Sequence, residues 1–315
     1  MIGEQKMTIQ QAIDLFLDSQ KLKGNSEKTI LYYKVNLGYF TNYVGHNIDI
    51  SEINIEIINN YKIYIMEKKA NANVRTGTSK LSTVTIATYI RAVKVFFRYL
   101  KDEGLTILDI DKFTIPKQKK YKIDILSEEE IQKLLSVYNE NCSTGCRNKA
   151  MLAIWLDCGL RRSEVIELNI DNVRFEQSIL RVVGKGNKER LVPLGVLSKK
   201  LLYKYIYHFR PIEDIETNRV FLNQDRTPLT VDSIRSLFQR LKSSSGIKRV
   251  HPHLLRHTFA TYYLINGGDS LTLQIILGHT TLKMVTSYTH IANTVKLYEK
   301  NKNSLLDNLY KKKYS

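Results

Sequence analysis

The chain has little of what marks a secreted, membrane-borne or metal-stapled protein. Its 315 residues include only 3 cysteines. Cys142 and Cys146 stand four apart, but no second pair follows at zinc spacing, and Cys158 sits in an apolar helical run where a buried thiol is commonplace. Reduced, structural thiols are expected. No run of eighteen apolar residues and no amphipathic anchor occurs, which sets a membrane reading aside. The opening stretch "MIGEQKMTIQQAIDLF" lacks the basic start, apolar stretch and small-residue cleavage site of a secretory signal, so a cytoplasmic location is expected. There is no internal repeat, and the only low-complexity stretch is "KKK" at 311–313. Acidic charge is also short: 31 Asp and Glu face 48 Lys and Arg, a formal net charge of +17. Such an excess repels itself in a folded state unless a polyanion relieves it, and nucleic acid is the polyanion expected.

A chain of this length exceeds what one core usually organises, so two domains are expected. The first hundred residues read as helices. Thr8 with Gln11 makes a capping box ahead of Ile9, Ile13, Phe16 and Leu17 at helical spacing. A second helix follows Asn25 or Ser26, with Ile30, Tyr33, Leu37, Phe40 and Val44 on one face. Ser51 opens a third carrying Ile57, Tyr61 and Ile65. Ser82 starts a fourth whose stripe is Ile86, Ile90, Val93, Phe97 and Leu100, with Gly104 as its stop. Between Asp109 and Leu126 the periodicity fails and "TIPKQKKYKID" brings a proline and clustered lysines, as an extended charged connection does. The division expected is a helical domain over 1–110, a basic linker over 111–125 and a second, mainly helical domain over 126–315, which Ser127 and Glu130 open with another capping box. Within it, "SILRVVGKGNKERLVPL" changes rhythm: Ile179, Val182 and Val183, a Gly/Asn-rich reversal, then Leu191 and Val192 predict a β-hairpin. The fold class expected is mainly α with a small β-sheet or hairpin.

Four segments bear chemistry. In "HPHLLRHTFA", Pro252 suits the first turn of a helix whose positions 253, 256 and 257 share a face, gathering His253, Arg256 and His257. Two histidines four apart suggest zinc, but the metalloprotease pattern needs Glu where Leu254 stands, and an arginine beside the ion would repel it. A guanidinium fork with a nearby imidazole suits phosphate chemistry, while plain core or surface histidines remain the bland alternative. "LDCGLRRSEVIEL" interrupts an apolar run with glycine and two arginines, Arg161 and Arg162; pairing with Glu164 or Glu167 at helical spacing would account for them equally well. "VVGKGNKERLVPL" sets Lys185 in a glycine-flanked turn open to a phosphate or merely to solvent. It is no Walker loop, because no Ser or Thr follows the lysine at a helix start. In "LGHTTLKMVTSYTHI", His279 follows a glycine and Tyr288 lies nine residues on. With 19 tyrosines in the chain, Tyr288 draws its interest from its company, since a phenol is a poor nucleophile at neutral pH unless a base and cations stabilise its phenolate.

The ordered set "GLRRSE", "GKGNKER", "HPHLLRHTFAT", "LGH" and "SYTH" resembles the tyrosine recombinase family of phage and transposon integrases and Xer-type recombinases. The motifs span about residues 127–292, and the N-terminal helices are similar in size and character to the family's core-binding domain. The resemblance implies a two-domain, C-shaped clamp on DNA. It implies Tyr288 as a nucleophile that forms a 3′-phosphotyrosyl link, Arg161 and Arg256 as holders of the non-bridging oxygens, and Lys185 as the acid for the 5′-oxygen. His253 would assist proton transfer at Tyr288, His279 would bond the phosphate, and Glu164 and His257 would support without reacting. Neither metal nor other cofactor is implied. The partners implied are a double-stranded recombination site, a homotetramer on two duplexes passing through a Holliday junction, and accessory DNA-bending proteins. The apolar stripe of Val295, Tyr298, Leu305, Leu306 and Leu309 would dock on a neighbouring protomer. "NGGDSLTLQIILGHTTLKMV" leans toward an enzyme of mobile elements, with Xer-type chromosome or plasmid dimer resolution as the alternative. A type IB topoisomerase would use similar residue chemistry, and a non-catalytic DNA-binding regulator would keep the fold and use the pocket only for phosphate grip.

Overall fold

The computed structural model describes residues 6–68, 81–116, 123–184, 188–211, 217–279 and 281–300. Lys185, the "KQKK" linker lysines and the tail residues Leu305, Leu306 and Leu309 lie outside the described residues, as do the side chains of Val295 and Tyr298. The chain divides into two compact units, Met1–Tyr121 and Lys122–Ser315.

Among the described residues, the first unit has four α-helices, α1 (Ile9–Leu22), α2 (Glu27–Val44), α3 (Ile55–Glu67) and α4 (Thr83–Asp102). Thr8 and Gln11 close a reciprocal capping box on α1, and Ser26 and Ser82 accept from Thr29 and Thr85 to start α2 and α4. Each cap satisfies an otherwise orphaned N–H, worth about 1 kcal/mol. The third helix differs from expectation. Asp49 accepts from the Ser51 N–H at 2.9 Å and the Ser51 hydroxyl at 2.6 Å, closing a single 3₁₀ turn over Ile50–Glu52, and Asn54 caps α3 instead. Its buried stripe is Ile58, Tyr61 and Ile65, with Ile57 packed at the margin. Aromatic edges lock the core: Phe16 meets Phe96 at 5.6 Å and Tyr33 at 5.0 Å, and Phe40 meets Tyr61 at 4.9 Å. Edge-to-face pairs at this spacing contribute about 0.5–1.5 kcal/mol beyond area burial.

The second unit opens with α5 (Glu128–Ser136), capped by Ser127 and Glu130, followed by α6 (Ser143–Cys158) and the short α7 (Arg162–Ile166). The hairpin expected at "SILRVVGKGNKERLVPL" is part of a three-stranded antiparallel sheet: β1 (Val173–Arg174), β2 (Ile179–Val183) and β3 (Glu189–Pro193), in that order. Its buried face carries Leu180, Val182 and Val192, with Arg190 paired opposite Val182. Helices α8 (Val196–Lys204), α9 (Val231–Ser245), α10 (Pro252–Ile265), α11 (Ser270–Leu277) and α12 (Lys283–Lys300) follow, with a π-helical turn at Tyr205–Phe209 after α8. The apolar α6 runs through the middle of this unit, and Met151, Ile154, Trp155 and Cys158 have no exposed surface. Gly159 ends it at φ +59, and an added Cβ there would overlap the Phe259 ring of α10. All three cysteines are free thiols, Cys142 exposed and Cys146 and Cys158 buried. Among the described residues no helix is long and apolar enough to cross a membrane, and no group of three His, Cys, Asp or Glu side chains is placed to hold a metal ion.

Candidate active site

The second unit draws four distant stretches of chain to one place. After Gly159 breaks α6, Arg161 takes the N-cap position of α7, and Glu164 three residues on reaches back to accept its backbone N–H at 2.6 Å. The same carboxylate accepts from Arg161 Nη1 at 2.8 Å, so the ion pair expected at helical spacing is present. It is one strand of a larger network. Arg161 Nη2 also donates to the carbonyl of Gly278, across 117 residues, at 2.9 Å.

Glu164 is 5% exposed and sits among three guanidiniums. Arg190, on the inward face of β3, grips it bidentately at 2.9 Å and 2.9 Å and donates from Nε to the Ile276 carbonyl at 2.6 Å. Arg256 Nη1 stands 4.0 Å from Glu164 Oε2. Burial pushes the Glu164 carboxyl up, but the bonds from Arg190 and Arg161 outweigh it and hold the pKa below the ordinary value. Sequence reasoning missed Arg190. A signal was there, because alternation along "ERLVPL" puts Arg190 on the same face as Val192 and Leu194, a position where an arginine needs a carboxylate partner.

Arg256 is 4% exposed. It is held by the carbonyls of Gly159 at 2.7 Å and Leu277 at 2.8 Å, and its Nη2 lies 3.0 Å from His279 Nε2. Burial, then Arg161, lower its pKa to about 10, so it remains a cation at neutral pH. Because a guanidinium only donates, His279 Nε2 must accept, which leaves the proton of the neutral ring on Nδ1. That Nδ1 is buried and has no hydrogen-bond partner among the described residues. The site therefore holds an unused donor beside Arg256. Burial and then the Arg256 charge lower the His279 pKa to about 4, so the ring is neutral at physiological pH.

Tyr288, on α12, is 4% exposed. Its hydroxyl lies 2.8 Å from His257 Nδ1, and its ring stacks on His279 with centroids 6.4 Å apart at 15°. Burial raises the Tyr288 pKa, while Arg256 pulls it down. His251 caps α10 by accepting the Leu254 N–H at 3.1 Å. His253 is exposed, with its ring 6.5 Å from that of His257, and burial of its inner part followed by the Arg256 charge lower its pKa. Of the residues singled out from sequence, Arg161, Glu164, Arg256, His257, His279 and Tyr288 thus converge, His253 stands at the margin, and Lys185 lies outside the described residues. Chemically, the pocket has an excess of cationic charge, an idle N–H donor and a buried phenol hydrogen-bonded to an imidazole.

Comparison with known proteins matches both units of the chain to one family. Residues 124–294 match the phage integrase family and residues 9–123 match the phage integrase SAM-like domain. Tyrosine recombinase XerC of Staphylococcus aureus is 28% identical over 285 residues, spanning 89% of this chain and 92% of that protein. Among solved structures, the XerA recombinase is 26% identical with a TM-score of 0.52, covering 93% of this chain and 98% of that one. The Tn1549 transposon integrase in complex with transposon right end DNA shares the fold with a TM-score of 0.75 at 19% identity, covering 93% and 99% of the two chains. XerH bound to its palindromic difH substrate does so with a TM-score of 0.70 at 23% identity, covering 90% and 82%. With both of its units matched in order, the chain belongs to the phage integrase family, the tyrosine-type site-specific recombinases.

Proposed function

We propose that this recombinase cuts and rejoins DNA with Tyr288 as nucleophile, forming a 3′-phosphotyrosyl link and freeing a 5′-hydroxyl. The observation that carries the reading is the charge balance of the site: three guanidiniums, Arg161, Arg190 and Arg256, share the carboxylate of Glu164, and Arg256 is close enough to the Tyr288 phenol to lower its pKa. Buried positive charge of this kind awaits an anion, and a phosphodiester supplies it. Arg161 and Arg256 hold the non-bridging oxygens, and the unpartnered His279 Nδ1 supplies a further bond. Donors fixed in advance by carbonyl and carboxylate partners stabilise charge growing at phosphorus without reorganising during the step, the largest contribution such sites make. Lys185 protonates the departing 5′-oxygen, and His253, exposed at the margin, assists proton movement. The bond energy is kept in the phosphotyrosyl ester, so the partner strand's 5′-hydroxyl reverses the step on a second duplex, through a Holliday junction.

The partner in this reading is a double-stranded recombination site held by a homotetramer on two duplexes, with accessory DNA-bending proteins compatible with it. The apolar stripe of the C-terminal tail docks on a neighbouring protomer. A groove of about 250 Å³ lined by Leu135, Leu156, Val196, Leu197, Phe259 and Tyr262 has the apolar character such a stripe needs. The biological role is integration and excision of a mobile element or Xer-type dimer resolution. Covalent trapping tests the core of the proposal. A suicide substrate carrying the site traps a protein–DNA adduct with the wild type and none with Tyr288→Phe. No adduct from either across good sites, with binding intact, would instead favour a regulator that only grips DNA.

A further inference from the structure

We propose that the cavity between α6 and α9 is a second anion site, away from Tyr288, which takes the phosphate of a nucleotide on Arg147 and Arg240. The cavity measures about 710 Å³, within the range of about 300–1,000 Å³ usual for small-ligand sites. Its position sets it apart from the active site. Arg147 stands twelve residues before Gly159 along α6, roughly 18 Å at about 1.5 Å per residue, and Arg161, Arg256, His279 and Tyr288 do not line the cavity.

The charge at this place is unbalanced. Arg147 is 8% exposed, and its bonds go to neutral acceptors: Nη1 donates to the Leu222 carbonyl at 2.6 Å, and Nε and Nη2 donate to Asn148 Oδ1 at 3.1 Å and 3.0 Å. These bonds fix the guanidinium plane without cancelling its charge, and they do not use all of its five N–H groups. Arg240, exposed on α9, lines the same cavity and makes no hydrogen bond or ion pair among the described residues. Burial lowers the Arg147 pKa, and the charge of Arg240 adds to the lowering, as two neighbouring cations without a shared carboxylate must. Near this pair the Tyr138 hydroxyl is buried without a hydrogen-bond partner among the described residues. A buried cation costs free energy unless an anion accompanies it, and a phosphate has oxygens enough to meet two guanidinium forks at once.

The acid among the lining residues is Asp225. Its Oδ1 accepts the Thr227 N–H at 3.1 Å and the Thr227 hydroxyl at 2.6 Å, so the carboxylate is committed to its own turn and to neither arginine. The rest of the lining suits a base attached to the phosphate. Met151, Leu229 and Leu237 give a buried apolar floor, and the hydroxyls of Ser233 and Ser236 lie along it. An apolar surface with a few placed polar groups is what a flat heterocycle binds, whereas a bare phosphate leaves the floor unfilled. Two sources carry this chemistry, a free mononucleotide and the DNA strand itself, and the test separates them.

Trp155, the chain's single tryptophan, lies one turn along α6 from Met151 and packs on Phe238 of α9 with ring centroids 5.3 Å apart, so its fluorescence reports occupancy. Titration with the four deoxynucleoside 5′-monophosphates should give a saturable change, with inorganic phosphate weaker and deoxyadenosine silent. Arg240→Gln, at an exposed position, should weaken binding roughly tenfold, the loss expected of one charge-assisted bond. Arg147→Gln should weaken it at least as much, and Arg161→Gln should leave it intact. If Arg240→Gln lowers the salt slope of nonspecific duplex binding by about one, and the duplex displaces any bound mononucleotide, the source is the DNA strand. A mononucleotide that stays bound beside the duplex identifies the free nucleotide. Three results overturn the proposal: no mononucleotide bound together with a wild-type salt slope in Arg240→Gln, deoxyadenosine bound as tightly as its monophosphate, or binding kept in Arg240→Gln and lost in Arg161→Gln. None of them touches the Tyr288 reading, because covalent trapping uses no residue of this cavity.

Discussion

Arg190→Met tests whether the buried charge network holds the active site together. Methionine keeps much of the side chain's length and apolar bulk but removes the bidentate grip on Glu164 at 2.9 Å and 2.9 Å and the bond to the Ile276 carbonyl. The two side chains are 8% and 4% exposed, so the carboxylate left behind cannot be rescued by water, and Arg161, with Arg256 4.0 Å away, must hold it. Breaking a buried pair by removing one partner costs about 3–5 kcal/mol. For a unit of this size that is about 6–20 °C of melting temperature. The chain's single tryptophan, Trp155, lies wholly within the core of this unit, so its fluorescence reports the unfolding of that unit. The pH dependence carries the sign. In the wild type the Glu164 pKa is lowered on folding, so its contribution is present above the ordinary carboxylate range and is lost as pH falls through the folded pKa. Without Arg190, burial dominates and the pKa shifts upward, so the gap between variant and wild type should be widest at neutral pH and close in acid. Arg190→Met/Glu164→Gln should cost about 0.5–3 kcal/mol less than the sum of the two single variants, the coupling expected of contacting residues. A cost under about 1 kcal/mol, a gap independent of pH, or additive costs of the two single variants would refute the reasoning.

Two further outcomes follow from the same geometry. His257 and His279 have pKa values lowered to about 4 from an unfolded value near 6.5, so the unfolded chain binds protons that the folded one refuses. Stability should be flat above pH about 6.5 and fall from there toward pH about 4, and a combined His257→Gln/His279→Gln variant should flatten that slope in Trp155 melting curves. Gly159→Ala puts a Cβ into the Phe259 ring at a positive-φ position whose carbonyl holds Arg256. It should lower stability by about 1–3 kcal/mol and slow cleavage while DNA affinity stays near wild type, and an unaltered cleavage rate would break the link between that turn and Arg256.

Much of this protein is legible in the order of its residues. Helical spacing and capping residues locate α1, α2, α4 and α5, because those signals are local and each N-cap is satisfied within three residues of chain. The start of α3 misleads, since Ser51 is itself a good cap; Asp49 captures its N–H and hydroxyl first. The motif order points to phosphate chemistry and to Arg161, Arg256, His279 and Tyr288, because those side-chain types in company have few other uses. Arg190 is inconspicuous beside Lys185, although strand alternation places it inward.

What sequence alone determined, then, was the set of groups and the class of chemistry: basic charge seeking a polyanion, arginine forks, imidazoles and a phenol in a recognisable order. Only tertiary structure decided which of them touch. His253 and His257 share one face of α10, so periodicity cannot choose between them, and the choice is made by where α12 lies against that helix. Likewise, Glu164 meets Arg190 across 26 residues and Arg161 meets Gly278 across 117. Contacts of that range are set by the packing of the whole core around α6, and no local rule of spacing contains them.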